Sequence, residues 1–143
     1  LSLNDSQHLI VKNLFYTIGD VERIGAHAEN LAELAQINIK NNREFSESGL
    51  NDLKKISEAA IKSVESAMEC REDRELSKVR QTARYEEEVD SLEEELKELH
   101  MERLSNHECN TKSGVIFLDA VSNYERIADH ARNIAGYVKE EIE

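Results

Sequence analysis

The chain has 143 residues, of which 34% are charged, and it contains no proline and no tryptophan. Its 30 acidic and 18 basic residues give a formal net charge of −12. This charge argues against nucleic acid and anionic membrane surfaces as partners, because phosphate contacts need a basic surface. It favours cations or basic proteins instead. No apolar run approaches the ~20 residues that span a bilayer.

The absence of proline favours long helices. Apolar side chains recur at intervals of three and four residues through most of the chain, a spacing typical of helices with one buried face. Asn4 or Asp5 can cap the first helix, and Ser46 the second. The four predicted helices, in chain order, cover 5–40, 47–74, 76–105 and 110–141. Because short loops make neighbouring helices antiparallel, we predict an all-α, left-handed, antiparallel up-and-down helical bundle of four long helices.

The two cysteines, Cys70 and Cys109, do not suggest a disulfide framework. In an up-and-down bundle they lie near turns at opposite ends. A disulfide needs Cα atoms within ~7 Å of each other, so we expect none. Cys70 falls on an apolar stripe and is expected to be a small buried side chain. This use of cysteine indicates a reducing compartment.

A segment of the first helix, 21–33, returns in the fourth helix as 124–136. Packing explains the apolar pairs of this repeat. His27 and His130 flank the packing seam, where an interhelical contact is the expected role and a ligand or pH-sensitive role is the alternative. The remaining pairs fall at positions that face away from the seam and indicate a role on the outer face. The seven repeated pairs are Glu22/Glu125, Arg23/Arg126, Ile24/Ile127, His27/His130, Ala28/Ala131, Asn30/Asn133 and Ala32/Ala135.

Two pairs of acidic residues recur at helical spacing. Asp129 follows Glu125 by one turn, and the third predicted helix has the same arrangement in Glu86 and Asp90. Two acids four residues apart lie ~5–6 Å from each other on one helix face. If the two helices fold back around a turn near 107–108, both pairs lie at one height. Four carboxylates at one height suit a hard cation such as Mg²⁺, Mn²⁺, Ca²⁺ or iron.

The alternative interpretation of these acids is an ordinary solvated surface. The third helix is rich in acids from Glu86 to Glu102, so pairs at this spacing arise often from composition alone. Nearby arginines could neutralise them as surface ion pairs of small energetic value. These arginines are Arg84, Arg126 and Arg132. Spacing alone leaves both interpretations open.

Catalytic patterns are absent from the sequence. A di-iron carboxylate oxidase needs Glu-x-x-His pairs that point into the bundle, and the sequence has none. It also has no phosphate-binding loop and no G-x-S-x-G motif. We therefore predict a protein that is not an enzyme. The histidines outside the repeat, His8, His100 and His107, are predicted to be surface or turn residues.

The repeated phrases resemble a known signature. Residues 22–33 and 125–135 look like the "ERIGDHAxNIAE" signature of the PhoU family. Residues 87–92 are similar to that family's "xEVDxL" helix, and residues 45–50 resemble the opening of its domains. The resemblance spans nearly the whole chain, and the signature is long and fairly specific.

This resemblance implies a division of the chain. PhoU domains are three-helix units, usually in tandem, and their third helix carries the signature. By that pattern, 43–143 is a complete three-helix PhoU-like unit, and 1–42 resembles the last helix of a preceding unit. The two parts together are expected to form a single bundle domain. The first helix would pack as the fourth helix of the bundle or pair with another chain.

The resemblance also implies a function. It is that of a cytoplasmic regulator of phosphate uptake and phosphate signalling, which docks on a phosphate transporter or a sensor kinase. Such domains also form the cytosolic tail of bacterial sodium/phosphate cotransporters, and the start of the chain without methionine makes this tail the first expectation. A homodimer is a further expected partner. The alternative is a purely structural or oligomerisation bundle without a ligand.

Metal binding is the last implication. Family members bind metal clusters on their outer surface through paired Glu/Asp-x-x-x-Asp motifs, so a divalent metal or an iron cluster is the expected cofactor. The expected metal ligands are Glu86, Asp90, Glu125 and Asp129. Glu22 is the matching residue of the first helix. Ala26 stands where the signature has Asp, so Glu22 lacks a partner carboxylate.

Overall fold

Four long helices make up the fold. A computed structural model describes residues 2–42, 45–108 and 111–143. Over these residues every regular element is a helix, which confirms the predicted all-α class. The helices are α1 (Asp5–Lys40), α2 (Glu47–Asp73), α3 (Leu76–Ser105) and α4 (Thr111–Ile142). Cys109 lies outside the described residues, so the absence of a disulfide stays a prediction. No helix in the described ranges combines the length and the apolarity that crossing a membrane requires.

Local chemistry sets the ends of the helices. The Asn4 side chain accepts the N–H of Gln7, and the Gln7 side chain accepts the N–H of Asn4, which forms a capping box at the start of α1. Ser46 Oγ accepts the N–H of Gly49 at the start of α2. Arg74 adopts a left-handed backbone conformation with φ of 54° and closes α2. The boundary between α2 and α3 therefore forms without glycine or proline.

The main core lies between α2, α3 and α4. Ser66 on α2 hydrogen-bonds with Thr82 on α3, and Arg71 near the end of α2 bonds to Glu141 near the end of α4. Hence α3 runs antiparallel to α2, and α2 runs parallel to α4. Cys70 is fully buried, as predicted. The largest fully buried apolar side chains are Phe117, Ile56, Leu96, Ile134, Val89, Val121 and Val138.

The first helix packs along α4. Near its start, Asn13 Nδ2 donates to the carbonyl of Tyr137 (3.2 Å) and to Glu141 (3.1 Å). Further along, His27 meets Asn123, so the two helices run antiparallel. Within the described residues, the backbone of α1 closely approaches only α4. The molecule is therefore a three-helix unit of α2, α3 and α4, and α1 packs along the outside of α4.

An apolar stripe along α1 is exposed. Its members are spaced by three and four residues, and all are exposed: Val11, Leu14, Ile18, Val21, Gly25, Ala28, Ala32 and Ala35. On α4, the residues 103 positions later are buried or half-buried, among them Phe117, Val121, Ala128 and Ala135. The apolar stripe of α1 thus presents to solvent the face that α4 buries against α2 and α3.

Candidate metal centre between α3 and α4

Antiparallel packing brings the two predicted acidic pairs together. One carboxylate oxygen from each of Glu86, Asp90 and Asp129 lies within 4.8 Å of the other two. Glu125 precedes Asp129 by one turn on α4, and the charges of Asp129 and Asp90 both act on it. We call these four residues the acidic face. The expectation that the two pairs lie at one height is therefore met by Glu86, Asp90 and Asp129.

The acidic face is only partly open to water. Glu86 is buried, with 5% of its surface exposed, whereas Glu125 and Asp129 are half-buried and Asp90 is exposed. The guanidinium of Arg132 forms an ion pair with Glu86. This arginine was one of the neutralising residues considered from the sequence, and it compensates one of the four carboxylates.

Burial and crowding raise the pKa of two of these carboxyl groups. Burial, a hydrogen bond with Asp129 and the charges of Asp129, Glu93 and Asp90 raise the pKa of Glu125 to about 8. Burial and the neighbouring Glu86 also raise the pKa of Asp90, against the opposing charge of Arg132. A carboxyl group whose pKa is raised by burial and by acidic neighbours lies where a cation could bind and neutralise the negative charge.

The donor set fits a hard cation. All four candidate ligands are carboxylates, which Mg²⁺, Ca²⁺ and Mn²⁺ prefer over nitrogen or sulfur donors. A bound cation would replace the proton held at Glu125 and would relieve the repulsion that raises its pKa. The Arg132 side chain would have to share Glu86 with the ion or turn outward, and it is 49% exposed.

Sequence reasoning missed Glu93 at this site. It lies one turn beyond Asp90 on α3, and its charge contributes to the raised pKa of Glu125. The signal was present in the sequence, because Glu86, Asp90 and Glu93 follow the spacing of one helix face.

The structure does not bring Glu22 into the acidic face. Glu22 is exposed on α1, at the position that corresponds to Glu125 in the repeat. Glu125 meets acids of α3, whereas in the described residues α1 pairs at the backbone only with α4. Because Ala26 stands one turn later, Glu22 lacks a second carboxylate on its own helix, and within the described ranges no helix other than α4 closely approaches α1.

A second polar arrangement lies in the seam between α1 and α4, where Asp20 is 3% exposed. It accepts hydrogen bonds from His130 Nδ1 (2.7 Å), Asn133 Nδ2 (3.2 Å) and the Tyr137 hydroxyl (2.7 Å). A buried carboxylate with three donors is well satisfied. Asp20 therefore ties α1 to α4.

The same contacts recur on the other side of the seam. Asn123, which precedes the repeated segment of α4 as Asp20 precedes that of α1, accepts from His27 Nδ1 (3.0 Å) and from Asn30 Nδ2 (3.3 Å). The prediction that Asn30 and Asn133 face away from the packing is therefore wrong. The repeated histidines and asparagines hold the two repeated helices together, and the expected interhelical role of the histidines is confirmed.

The prediction for His100 is also wrong. It was expected at the surface, but it is 2% exposed and stacks on Phe117 with ring centroids 4.9 Å apart. Burial and the charge of Arg103 lower its pKa. The small residue Gly114 on α4 leaves the space that the imidazole fills.

Comparison with known proteins gives one finding. The sequence model of the PhoU domain matches residues 53–138, which is more than half of the chain and includes the whole acidic face. No curated protein and no solved structure matches the chain significantly.

Proposed function

The chain belongs to the PhoU domain family, and on this premise we propose that it is a regulatory module of phosphate transport and phosphate signalling, without catalytic activity of its own. It would dock on the membrane domain of a phosphate transporter or on a sensor kinase. In this proposal it works in the cytoplasm, and the cytosolic part of an inner-membrane sodium/phosphate cotransporter is the first candidate for its context.

The observation that carries the proposal is the position of the acidic face inside the matched segment. The PhoU match runs from α2 to the last turns of α4, and Glu86, Asp90, Glu125 and Asp129 all lie within it. The raised pKa of Glu125 supports a cation at this place. Binding would neutralise the facing carboxylates and so stiffen the contact between α3 and α4, which gives the module a ligand-dependent surface.

Elemental analysis of the purified, untagged protein tests the metal part of this proposal. We expect near-stoichiometric iron, manganese or another hard cation in the wild type, or uptake of Mn²⁺ on incubation. The double variant Glu125→Gln/Asp129→Asn should lose it. Glu94→Gln/Glu98→Gln is the matched control, because both residues are exposed on α3 and the charge change is the same. Equal metal content in both variants would contradict binding at the acidic face.

The structural alternative, a bundle without a ligand, rests on the ion pair of Arg132 with Glu86. If the acidic face is only a solvated surface, MnCl2 should leave the melting temperature of the wild type unchanged. A cation that binds the folded chain must raise that temperature. A rise seen in the wild type and absent in Glu125→Gln/Asp129→Asn therefore decides between the two functions.

The division of the chain is part of the proposal. We assign 43–143 to one complete unit and 1–42 to the last helix of a preceding unit. The support is the apolar stripe of α1, which corresponds residue by residue to the buried face of α4. The partner that fits this stripe is a helical hairpin of the preceding unit, with an apolar face like the one that α2 and α3 turn toward α4.

A further inference from the structure

The two histidines of the repeat lie side by side in the α1–α4 seam. The ring centroids of His27 and His130 are 5.8 Å apart, and the ring planes differ by 22°. Both side chains are half-buried, and 16% of the His130 side chain is exposed. Neither the acidic face nor the proposed regulatory function uses this pair.

Each imidazole has its Nδ1 atom held by an oxygen of the facing helix. His130 Nδ1 lies 2.7 Å from Asp20 Oδ1, and His27 Nδ1 lies 3.0 Å from Asn123 Oδ1. The Asn123 amide is oriented independently, because its Nδ2 donates to the carbonyl of Asp119 (2.8 Å). Both Nδ1 atoms therefore carry the hydrogen, and in the neutral rings Nε2 carries the free lone pair.

The two oxygen acceptors lie at the outer ends of this arrangement. Asp20 precedes His27 by seven residues on α1, and Asn123 precedes His130 by seven on α4. Because the helices are antiparallel, each Nδ1 is turned away from the other ring. Because Nδ1 of each ring is held by its acceptor, Nε2 is the ring nitrogen left for another ligand.

We propose that His27 and His130 bind one divalent cation of the Zn²⁺, Cu²⁺ or Ni²⁺ class through their Nε2 atoms. Imidazole suits these metals, whereas the acidic face suits hard cations. With metal–nitrogen bonds of about 2.0–2.1 Å, two imidazoles on one ion have centroids roughly 5–6 Å apart. The observed separation of 5.8 Å lies within this range.

Asp20 and Asn123 act as positioning residues in this site. Histidines that ligate metals almost always donate their other ring N–H to a carboxylate, a carbonyl or water, which fixes the ring and its tautomer. The buried Asp20 carboxylate also supplies a negative charge next to the ion. Arg23 and Arg126, one turn before each histidine, oppose a cation, but both are exposed and free to extend into solvent.

Calorimetric titration with ZnCl2 tests the proposal. The titrated protein carries Glu125→Gln/Asp129→Asn, so that the acidic face contributes no binding. We expect one Zn²⁺ per chain, with binding lost in the added variants His27→Gln or His130→Gln. His8→Gln, an exposed histidine of α1 outside the seam, should keep it. Zinc binding that survives His27→Gln, or no zinc binding at all, would overturn the proposal.

Circular dichroism and thermal melting show whether each variant folds. A second pair of variants tests the positioning role of Asp20 and Asn123 without removing a ligand. Asp20→Asn should weaken Zn²⁺ about tenfold or more, and Asn123→Asp should strengthen it. A structural role of the seam alone would not give effects of opposite sign, so equal Zn²⁺ affinity in both variants also counts against the site. Mn²⁺ binding of the otherwise native chain should be unchanged by His27→Gln, which separates this proposal from the acidic face.

Discussion

Glu125 shows at the scale of one residue how the fold creates a chemical group with altered properties. Its ordinary pKa of 4.5 rises to about 8 because it is half-buried among other carboxylates. The folded chain therefore binds a proton at pH values where the unfolded chain has released it. This coupling makes the protonation of a single side chain visible in the stability of the whole protein.

The first prediction is the pH dependence of that stability in metal-free buffer. With the folded pKa above the unfolded one, stability is fully present below about pH 4.5 and falls as the pH rises through 8. Glu125→Gln should remove this loss and gain about 1 kcal/mol at pH 9, after allowance for solvent screening. Urea unfolding at pH 5, 7 and 9 measures it, with Glu94→Gln as the exposed control. Parallel pH curves for wild type and Glu125→Gln would contradict the prediction.

The second prediction concerns two glycines of α4. A Cβ on Gly114 would lie 2.5 Å from His100 Nε2, and His100 is held in place by burial and by Phe117. Gly114→Ala should therefore cost about 1–3 kcal/mol.

Gly136 on the same helix is its control. A Cβ there meets nothing within 4 Å, so Gly136→Ala should stabilise the helix by about 0.5–1 kcal/mol. Chemical denaturation measures both variants, and a loss of stability in both would show that crowding at His100 is not the cause.

At the scale of the helices, α1 differs from the other three in how little of its apolar surface is covered. Ile24 packs against the apolar core of the three-helix unit, whereas Leu14 and Ile18 of the apolar stripe are 43% and 57% exposed. A soluble protein seldom leaves a long apolar stripe uncovered unless another surface docks there. The stripe and the seam divide α1 into two faces with different tasks.

The third prediction separates these two faces. Leu14→Ser/Ile18→Ser should change the free energy of unfolding by less than about 0.5 kcal/mol, while it lowers binding of an apolar dye and any self-association. Ile24→Ser, on the packed face, should destabilise the chain by roughly 2 kcal/mol or more. Denaturation and sedimentation velocity measure these effects. A large stability loss in the first variant would show that the stripe is already covered.

Periodicity was sufficient to predict the helices, and residue numbering around one turn was sufficient to predict the acidic face. The helices and the acidic face depend on the spacing of residues along the chain, which the sequence shows directly. The direction of Asn30 and Asn133 was not predictable in this way, because heptad positions do not say which two helices are adjacent. The burial of His100 escaped prediction for a similar reason, since it depends on the space above Gly114 across the α3–α4 contact.

At the scale of the whole molecule, the four helices differ in how many neighbouring helices they pack against. Helices α2, α3 and α4 each have two neighbours within the unit, while the described part of α1 is paired at the backbone with α4 alone. The polar contacts of Asp20 and Asn123 fasten that one interface. Partial unfolding that releases α1 and leaves the three-helix unit intact therefore has the lowest free energy among the large opening motions.

The fourth prediction is an ordered pattern of hydrogen exchange. Amides in the middle of α1 should exchange through this partial opening, with a lower free energy than amides in the middle of α4. Asp20→Asn should lower the protection of α1 further and leave α3 unchanged. Native-state hydrogen exchange with mass spectrometry measures both. Equal protection of α1 and α4 would show that the four helices unfold as one cooperative unit.

The pairing of α1 with α4 also fixes an order of events during protein synthesis. The contact between Asn13 and Glu141 joins residues 128 positions apart. At ~5–20 residues per second, α1 leaves the ribosome roughly 5–20 s before α4 exists. During that time the hairpin of α2 and α3 forms from local contacts, while the face of α1 that later packs on α4 has no partner. This face of α1 is therefore open to chaperones and to wrong partners until α4 is made.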